Sequence, residues 1–219
     1  MKEFNLVSPR PEVEIHLPDG RVIAGPRGSN VGDFLSVVEH DSQLVGAVVN
    51  GNLRELSFPV GMDSRVSPVT MSTPDGTRIY RRSLTFLLEM VFADMYPLAT
   101  LFIDHSVATG GFYCEVKGRD PLSVSELGVL KVLMQKFVKD DLPFLRKEVP
   151  LKEAMDYFLA RGEEDKVQLL KYRKKAYLTL YSLNERMDYH HGYMVPSTGY
   201  LRWFDLVPAG DGFTLDRKS

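Results

Sequence analysis

Two adjacent histidines, His190 and His191, stand in the stretch Asp188-Tyr-His-His-Gly-Tyr-Met-Val-Pro-Ser-Thr-Gly-Tyr-Leu-Arg-Trp-Phe204. Imidazoles beside a rigid Pro/Gly turn suit a metal site or acid–base chemistry. On an extended backbone neighbouring side chains point to opposite faces, so one of the two at most faces a given pocket. The other reading is a pair of polar loop histidines. A second group of chemical interest is Lys171-Tyr-Arg-Lys-Lys175, the densest basic cluster. Lys171, Arg173, Lys174 and Lys175 around a tyrosine could grip a phosphate backbone, which makes them candidate RNA contacts. A solvated helix end favoured by the dipole has the same composition.

The bulk of the chain restricts these options. The formal net charge of the 219 residues is −2, so no global positive field argues for nucleic acid, and DNA is not expected. Cys114 is the single cysteine, which excludes a disulfide framework and a cysteine-rich zinc site and fits a reducing cytoplasm. No apolar run is long enough to span a bilayer, and the first residues lack the apolar core of a signal peptide. A P-loop motif and a G-x-G-x-x-G fingerprint are both absent from the sequence.

The elements that must position these residues fall into two domains. In residues 1–72, Val13, Ile15 and Leu17 alternate with polar residues as a half-buried strand. Pro18-Asp-Gly20 turns the chain into a second arm. Asn30 caps a short helix carrying Val31, Phe34, Leu35 and Val38. Gly46-Ala-Val-Val-Asn-Gly51 is a strand closing on an Asn-Gly hairpin signal. Residues 65–70 give a last strand, with Pro68 expected at an edge or bulge. This is a β-grasp layout. Leu17-Pro-Asp-Gly-Arg21, Val48-Val-Asn-Gly51 and Met71-Ser-Thr-Pro-Asp-Gly76 make it resemble a TGS domain, the accessory module found at the front of threonyl-tRNA synthetases. Met71-Ser-Thr-Pro-Asp-Gly-Thr77, rich in turn formers, is expected to link the two domains.

Residues 78–219 read as an α+β domain, with helices packed on a mainly antiparallel sheet. An amphipathic helix spans residues 82–95, with Leu84, Leu87, Leu88 and Val91 on one face. Strands at residues 100–105 and 111–116 flank Gly110-Gly111. Ser123-x-x-Glu126 is a capping box opening a further helix. Strands are expected at residues 177–183 and 200–207. The order of Tyr80-Arg-Arg-Ser-Leu-Thr-Phe-Leu-Leu88, Asp141-Leu-Pro143, Asp165-Lys-Val167 and Val195-Pro-Ser-Thr-Gly199 resembles the second additional domain of threonyl- and alanyl-tRNA synthetases. In those enzymes it removes wrongly attached amino acids from tRNA.

That resemblance implies an H-x-x-x-H pair on the first helix and C-x-x-x-H before Val-Pro-Ser-Thr-Gly. The matching positions here hold Arg82, Phe86, His190 and Met194. Arginine repels a cation and phenylalanine has no donor atom, so no metal is expected. Only His105 and Cys114 remain as substitutes. The same positions imply a pocket in which Arg82, His190, His191, Tyr193 and Arg202 bind a small anionic or nucleotide-like ligand. Asp188-Tyr-x-x-Gly192 and Tyr200-Leu-Arg-Trp-Phe204 resemble bacterial proteins in which these two domains precede a uridine-kinase/phosphoribulokinase-type domain. The function expected on this basis is the non-catalytic, ligand-binding half of a nucleoside-kinase-like protein. It would carry no cofactor in this segment, with ATP and magnesium confined to a kinase domain downstream of Ser219. The alternatives are a tRNA-editing hydrolase or an RNA-binding adaptor with tRNA as partner.

Overall fold

The computed structural model describes residues 7–38, 43–106 and 111–216, without the side chains of His105 and Ser106. Gly110, half of the turn expected between two strands, lies outside them. The protein is α+β, with one mixed sheet and two antiparallel sheets. It divides into two compact units, Met1–Tyr80 with Tyr193–Pro196, and Arg81–Gly192 with Ser197–Ser219.

The first unit is a β-grasp. Strand β1 (Glu12–His16) buries Val13 and Ile15 and pairs antiparallel with β2 (Val22–Pro26). Gly20 makes the intervening turn at φ +88, where a side chain would be strained. Helix α1 (Val31–Leu35) is held by an Asn30–Asp33 capping box. Strands β3 (Leu44–Val49) and β4 (Asn52–Arg54) join through Asn50 and Gly51, both at positive φ. Strand β5 (Ser64–Thr70) lies between β1, to which it is parallel, and β3. It meets β1 only at Ser64 and Arg65, so Pro68 is paired on one side alone, to Ala47 of β3. A proline there breaks no ladder hydrogen bond. Val13, Ile15, Val31, Phe34, Leu35 and Ala47 form the buried centre.

Helix α2 (Pro74–Met95) begins eight residues before the expected Arg82. The last four residues of the stretch read as a linker are its first turn, and the unit boundary falls inside the helix, between Tyr80 and Arg81. The Thr73 hydroxyl accepts from the Gly76 N–H at 3.1 Å, and the Thr73 carbonyl accepts from the Thr77 N–H at 2.8 Å. Thr73 is therefore the N-cap and Pro74 the first helical residue, where its missing N–H costs nothing. Gly76 is required for space: a Cβ there would stand 1.9 Å from the Thr70 carbonyl oxygen.

In the second unit, β6 (Thr100–Ser106) and β7 (Phe112–Lys117) pair antiparallel. Helix α3 (Val124–Asp140) opens on the Ser123–Glu126 capping box and buries Leu127, Leu130 and Met134. Strand β8 (Leu145–Pro150) leads into α4 (Leu151–Ala160) and α5 (Glu164–Lys171). Strands β9 (Tyr177–Leu183) and β10 (Arg186–Asp188) complete a three-stranded sheet with β8. Val149, Phe158, Val167, Leu170, Leu178 and Leu180 pack between this sheet and the two helices. The strand expected at residues 200–207 starts only at β11 (Asp205–Ala209), which continues into β12 (Gly212–Asp216) beside β7. The reason is local. Leu142 and Thr198 exchange hydrogen bonds at 2.8 Å, and Asp141 accepts from the Gly199 N–H, which bends residues 198–200 into a 3₁₀ turn.

Loss of the Thr73 cap should cost about 1 kcal/mol. In urea titrations Thr73→Ala should lower the unfolding midpoint, and Gly76→Ala should lower it much further. Equal and negligible shifts would refute the helix start at Pro74.

Candidate functional site

Helix α2 carries Arg82, Phe86 and Glu89 at i, i+4 and i+7, on one face. Strand β10 ends at Asp188, and His190 follows two residues later on the same side of the chain. Helix α5 supplies Lys166. All six residues belong to the second unit.

Glu89, Asp188 and His190 each bring one donor atom within 4.8 Å of the others. The His190 ring lies against Phe86, 4.9 Å between centroids, and Phe86 packs in turn on Phe144. Burial in this apolar wall drives the imidazole down to about 4, with Asp188 pulling the other way and Lys166 and Arg82 adding to the drop. His190 is therefore neutral at pH 7. Burial, reinforced by the Asp188 charge and opposed by Lys166, pushes Glu89 up to about 7. Glu89 Oε2 and His190 Nε2 are sealed from solvent, and neither has a hydrogen-bond partner within the protein. An orphaned buried polar atom costs about 1–3 kcal/mol, so two side by side in one site call for a functional account.

Lys166 Nζ donates to both Asp188 carboxylate oxygens, at 2.8 and 2.7 Å. Lys166 also contacts Glu163 at 2.8 Å. Burial works to lower the Lys166 pKa, but the two carboxylates outweigh it and the ammonium is held above its ordinary range. A divalent ion among Glu89, Asp188 and His190 would sit beside this ammonium, whose charge disfavours it. Burial pushes the Cys114 thiol up to about 12, which disfavours the thiolate. The His105 side chain lies outside the described residues.

The sequence-predicted residues fall in several places. Arg82 lies against Gly192, where a Cβ would stand 2.9 Å from its guanidinium, and its charge acts on His190. His190 is half-buried and His191 exposed. The His191 ring packs on Tyr189, and its Nδ1 lies 3.2 Å from the Tyr189 hydroxyl. Tyr193 belongs to the first unit, where its hydroxyl accepts from Arg54 at 3.4 Å. Arg202 donates to the Gly199 carbonyl and lines a cleft of about 420 Å³ with Lys139, Asp141 and Phe204. Arg173 donates to the Tyr177 carbonyl and the Tyr189 hydroxyl, whereas Lys171, Lys174 and Lys175 are exposed.

No family model matches this sequence. Its curated relatives are threonine–tRNA ligases. The chain is 28% identical to the enzyme of Geobacter sp. strain M21 over 210 residues, 94% of this chain and 33% of that one. It is 29% identical to threonine–tRNA ligase 2 of Bacillus subtilis strain 168, over 89% of this chain and 31% of the relative. It is 30% identical to the ligase of Polynucleobacter asymbioticus over 80% of this chain and 28% of the relative. The chain thus spans about a third of the length of the relatives it matches.

These relatives overturn the expectation of a nucleoside-kinase accessory half. Asp188 and Gly192, taken as pointers to that family, have local tasks instead: Asp188 binds Lys166, and Gly192, at φ +101, leaves room for Arg82. Sequence reasoning also missed Glu89 and Lys166. Glu89 was detectable as the lone acid in Phe86-Leu-Leu-Glu-Met-Val-Phe92, seven residues after Arg82. Lys166 sits inside Asp165-Lys-Val167, with no local sign that it meets Asp188 twenty-two residues on. Among the described residues, no helix is long and apolar enough to cross a membrane.

The Glu89 shift predicts a pH signature. A carboxyl raised from 4.5 to about 7 on folding contributes stability that is lost as pH rises between those values. His190, lowered from 6.5 to about 4, has the opposite slope between 4 and 6.5, so the two oppose each other over most of that window. Relative to wild type, Glu89→Gln should gain roughly 1–2 kcal/mol of stability between pH 5 and pH 8 in urea unfolding. A constant difference across that range would exclude the buried acid. Elemental analysis of purified protein should find no stoichiometric zinc; one zinc per chain would reverse the reading of the donor set.

Proposed function

We propose that this chain is the amino-acid-editing region of a threonine–tRNA-ligase-like protein, hydrolysing the ester that joins a wrong amino acid to tRNA. The observation that carries the reading is the pair of unpartnered buried atoms, Glu89 Oε2 and His190 Nε2, in a chain aligned along 94% of its length with a threonine–tRNA ligase. A carboxyl with a pKa of about 7 is matched to general-base work at neutral pH. Glu89 takes a proton from a water molecule, whose oxygen attacks the ester carbonyl carbon. The ribose oxygen leaves with a proton returned from Glu89. Neutral His190 offers a hydrogen bond rather than a charge, and Arg82 supplies a cation for the anionic RNA end. Burial, with the Asp188 charge adding to it, keeps Glu89 protonated until pH approaches 7.

The mechanism runs without a bound metal, which agrees with Arg82 and Phe86 at the positions where the resembling family has histidines. The kinase reading finds no such support. A purely RNA-binding adaptor would leave the two orphaned atoms without a task.

The direct test is deacylation of tRNA(Thr) charged with serine, followed at pH 6 to 8. The protein should release serine well above the spontaneous rate, increasingly so as pH rises through about 7 and Glu89 ionises. Glu89→Gln should lower the rate by ~10²-fold or more. Release at the spontaneous rate with intact folded protein would defeat the proposal.

A further inference from the structure

The end of α5 and the start of β9 carry a surface that the editing chemistry does not use. Lys171, Lys174 and Lys175 are exposed, and among the described residues none of them pairs with a carboxylate. The Lys171 ammonium meets only the Gln168 side-chain oxygen, at 3.0 Å. Lys152, at the exposed start of α4, joins them: the Leu151 N–H donates to the Ala176 carbonyl at 2.8 Å, so the two segments run side by side. The helix dipole accounts for lysines at the end of α5, whose acids, Glu164 and Asp165, lie at its other end. It does not account for Tyr172, 87% exposed, or for Leu169, 74% exposed, in the same turn. An aromatic ring left in water among unpaired cations is the pattern of a stacking platform beside a phosphate track.

The patch is also tied to the candidate site. The Arg173 guanidinium donates to the Tyr177 carbonyl at 3.2 Å and to the Tyr189 hydroxyl at 3.4 Å. Tyr189 stands between Asp188 and His190. Arg173 is thus a brace that fixes the basic turn against the strand bearing the buried cluster, while the lysines around it stay exposed.

We infer that Lys152, Lys171, Tyr172, Lys174 and Lys175 form an RNA-docking surface, in which the lysines hold the phosphate backbone and Tyr172 stacks on an unpaired base. The inference rests on the proposed function only for the identity of the RNA as a tRNA; binding itself needs no hydrolysis. A single-stranded RNA end suits the surface better than a duplex, because an exposed tyrosine needs a base free to stack.

The test is an anisotropy titration of the protein with labelled single-stranded RNA and with tRNA between 50 and 200 mM salt. The triple variant Lys171→Gln/Lys174→Gln/Lys175→Gln should bind less tightly, with the slope of log K against log salt reduced by about two. Tyr172→Ala should weaken binding about tenfold with the slope unchanged. Arg173→Lys serves as a control for the brace: thermal stability falls while the salt slope stays near wild type. Unchanged affinity and slope in the triple variant would overturn the inference, as would binding to anionic phospholipid vesicles as tight as to RNA. The two readings separate cleanly. If Glu89→Gln loses deacylation while the triple variant binds RNA normally, the surface falls and the editing function stands. RNA binding that depends on the lysines without any deacylation has the reverse meaning.

Discussion

A single ammonium group sets the electrostatics of the second unit. Lys166 bonds both oxygens of Asp188 and touches Glu163, so one cation compensates two carboxylates. Burying a charge without a partner costs several kcal/mol, and only Asp188 receives full compensation here. Glu89, next in line, lies in the same low-dielectric space and has no cation of its own. It answers by keeping its proton up to about pH 7, and His190 answers by losing its proton near 4. The site therefore holds two neutral polar groups beside one neutralised ion pair. Helix α5 and the β9–β10 hairpin supply the two halves of the ion pair, so removal of either would leave an uncompensated charge, and α2 supplies the neutral acid.

The residues that stand where a related family has metal ligands fit the same account. Phe86 supplies an apolar face to His190, which is what depresses the imidazole. Arg82 adds a positive charge close enough to act on the ring. Both changes disfavour a cation and favour proton chemistry. Cys114 is buried with its proton retained, so it contributes packing rather than a thiolate. Threonine–tRNA ligases are similar to this chain along most of its length.

Two copies of Pro-Asp-Gly show how narrow the local signal is. At residues 18–20 the tripeptide makes a turn, with Gly20 at φ +88. At residues 74–76 it starts a helix of twenty-two residues. The difference lies outside the tripeptide: Thr73 supplies a hydroxyl to the free N–H of Gly76, while Leu17 has no such group to offer. A long amphipathic run then follows in one case and a strand in the other.

Periodicity and turn chemistry, both short-range, made the β-grasp strands, the Ser123–Glu126 capping box, the Asn50-Gly51 hairpin and the α+β class legible in the sequence. The opposite faces of His190 and His191 were likewise fixed by backbone geometry alone. Glu89 left one local sign, as the lone acid of an apolar run, and Lys166 left none, because their meaning arises from contacts across helix α2, helix α5 and strand β10. A glutamate in an apolar helix and a lysine in an amphipathic one look ordinary until folding removes the water around them. The bend at residues 198–200 was hidden for the same reason: Thr198 and Gly199 find their partners at Leu142 and Asp141, more than fifty residues away. Local rules determined which elements form. Desolvation, which exists only once those elements pack, decided which side chains shift their proton equilibria.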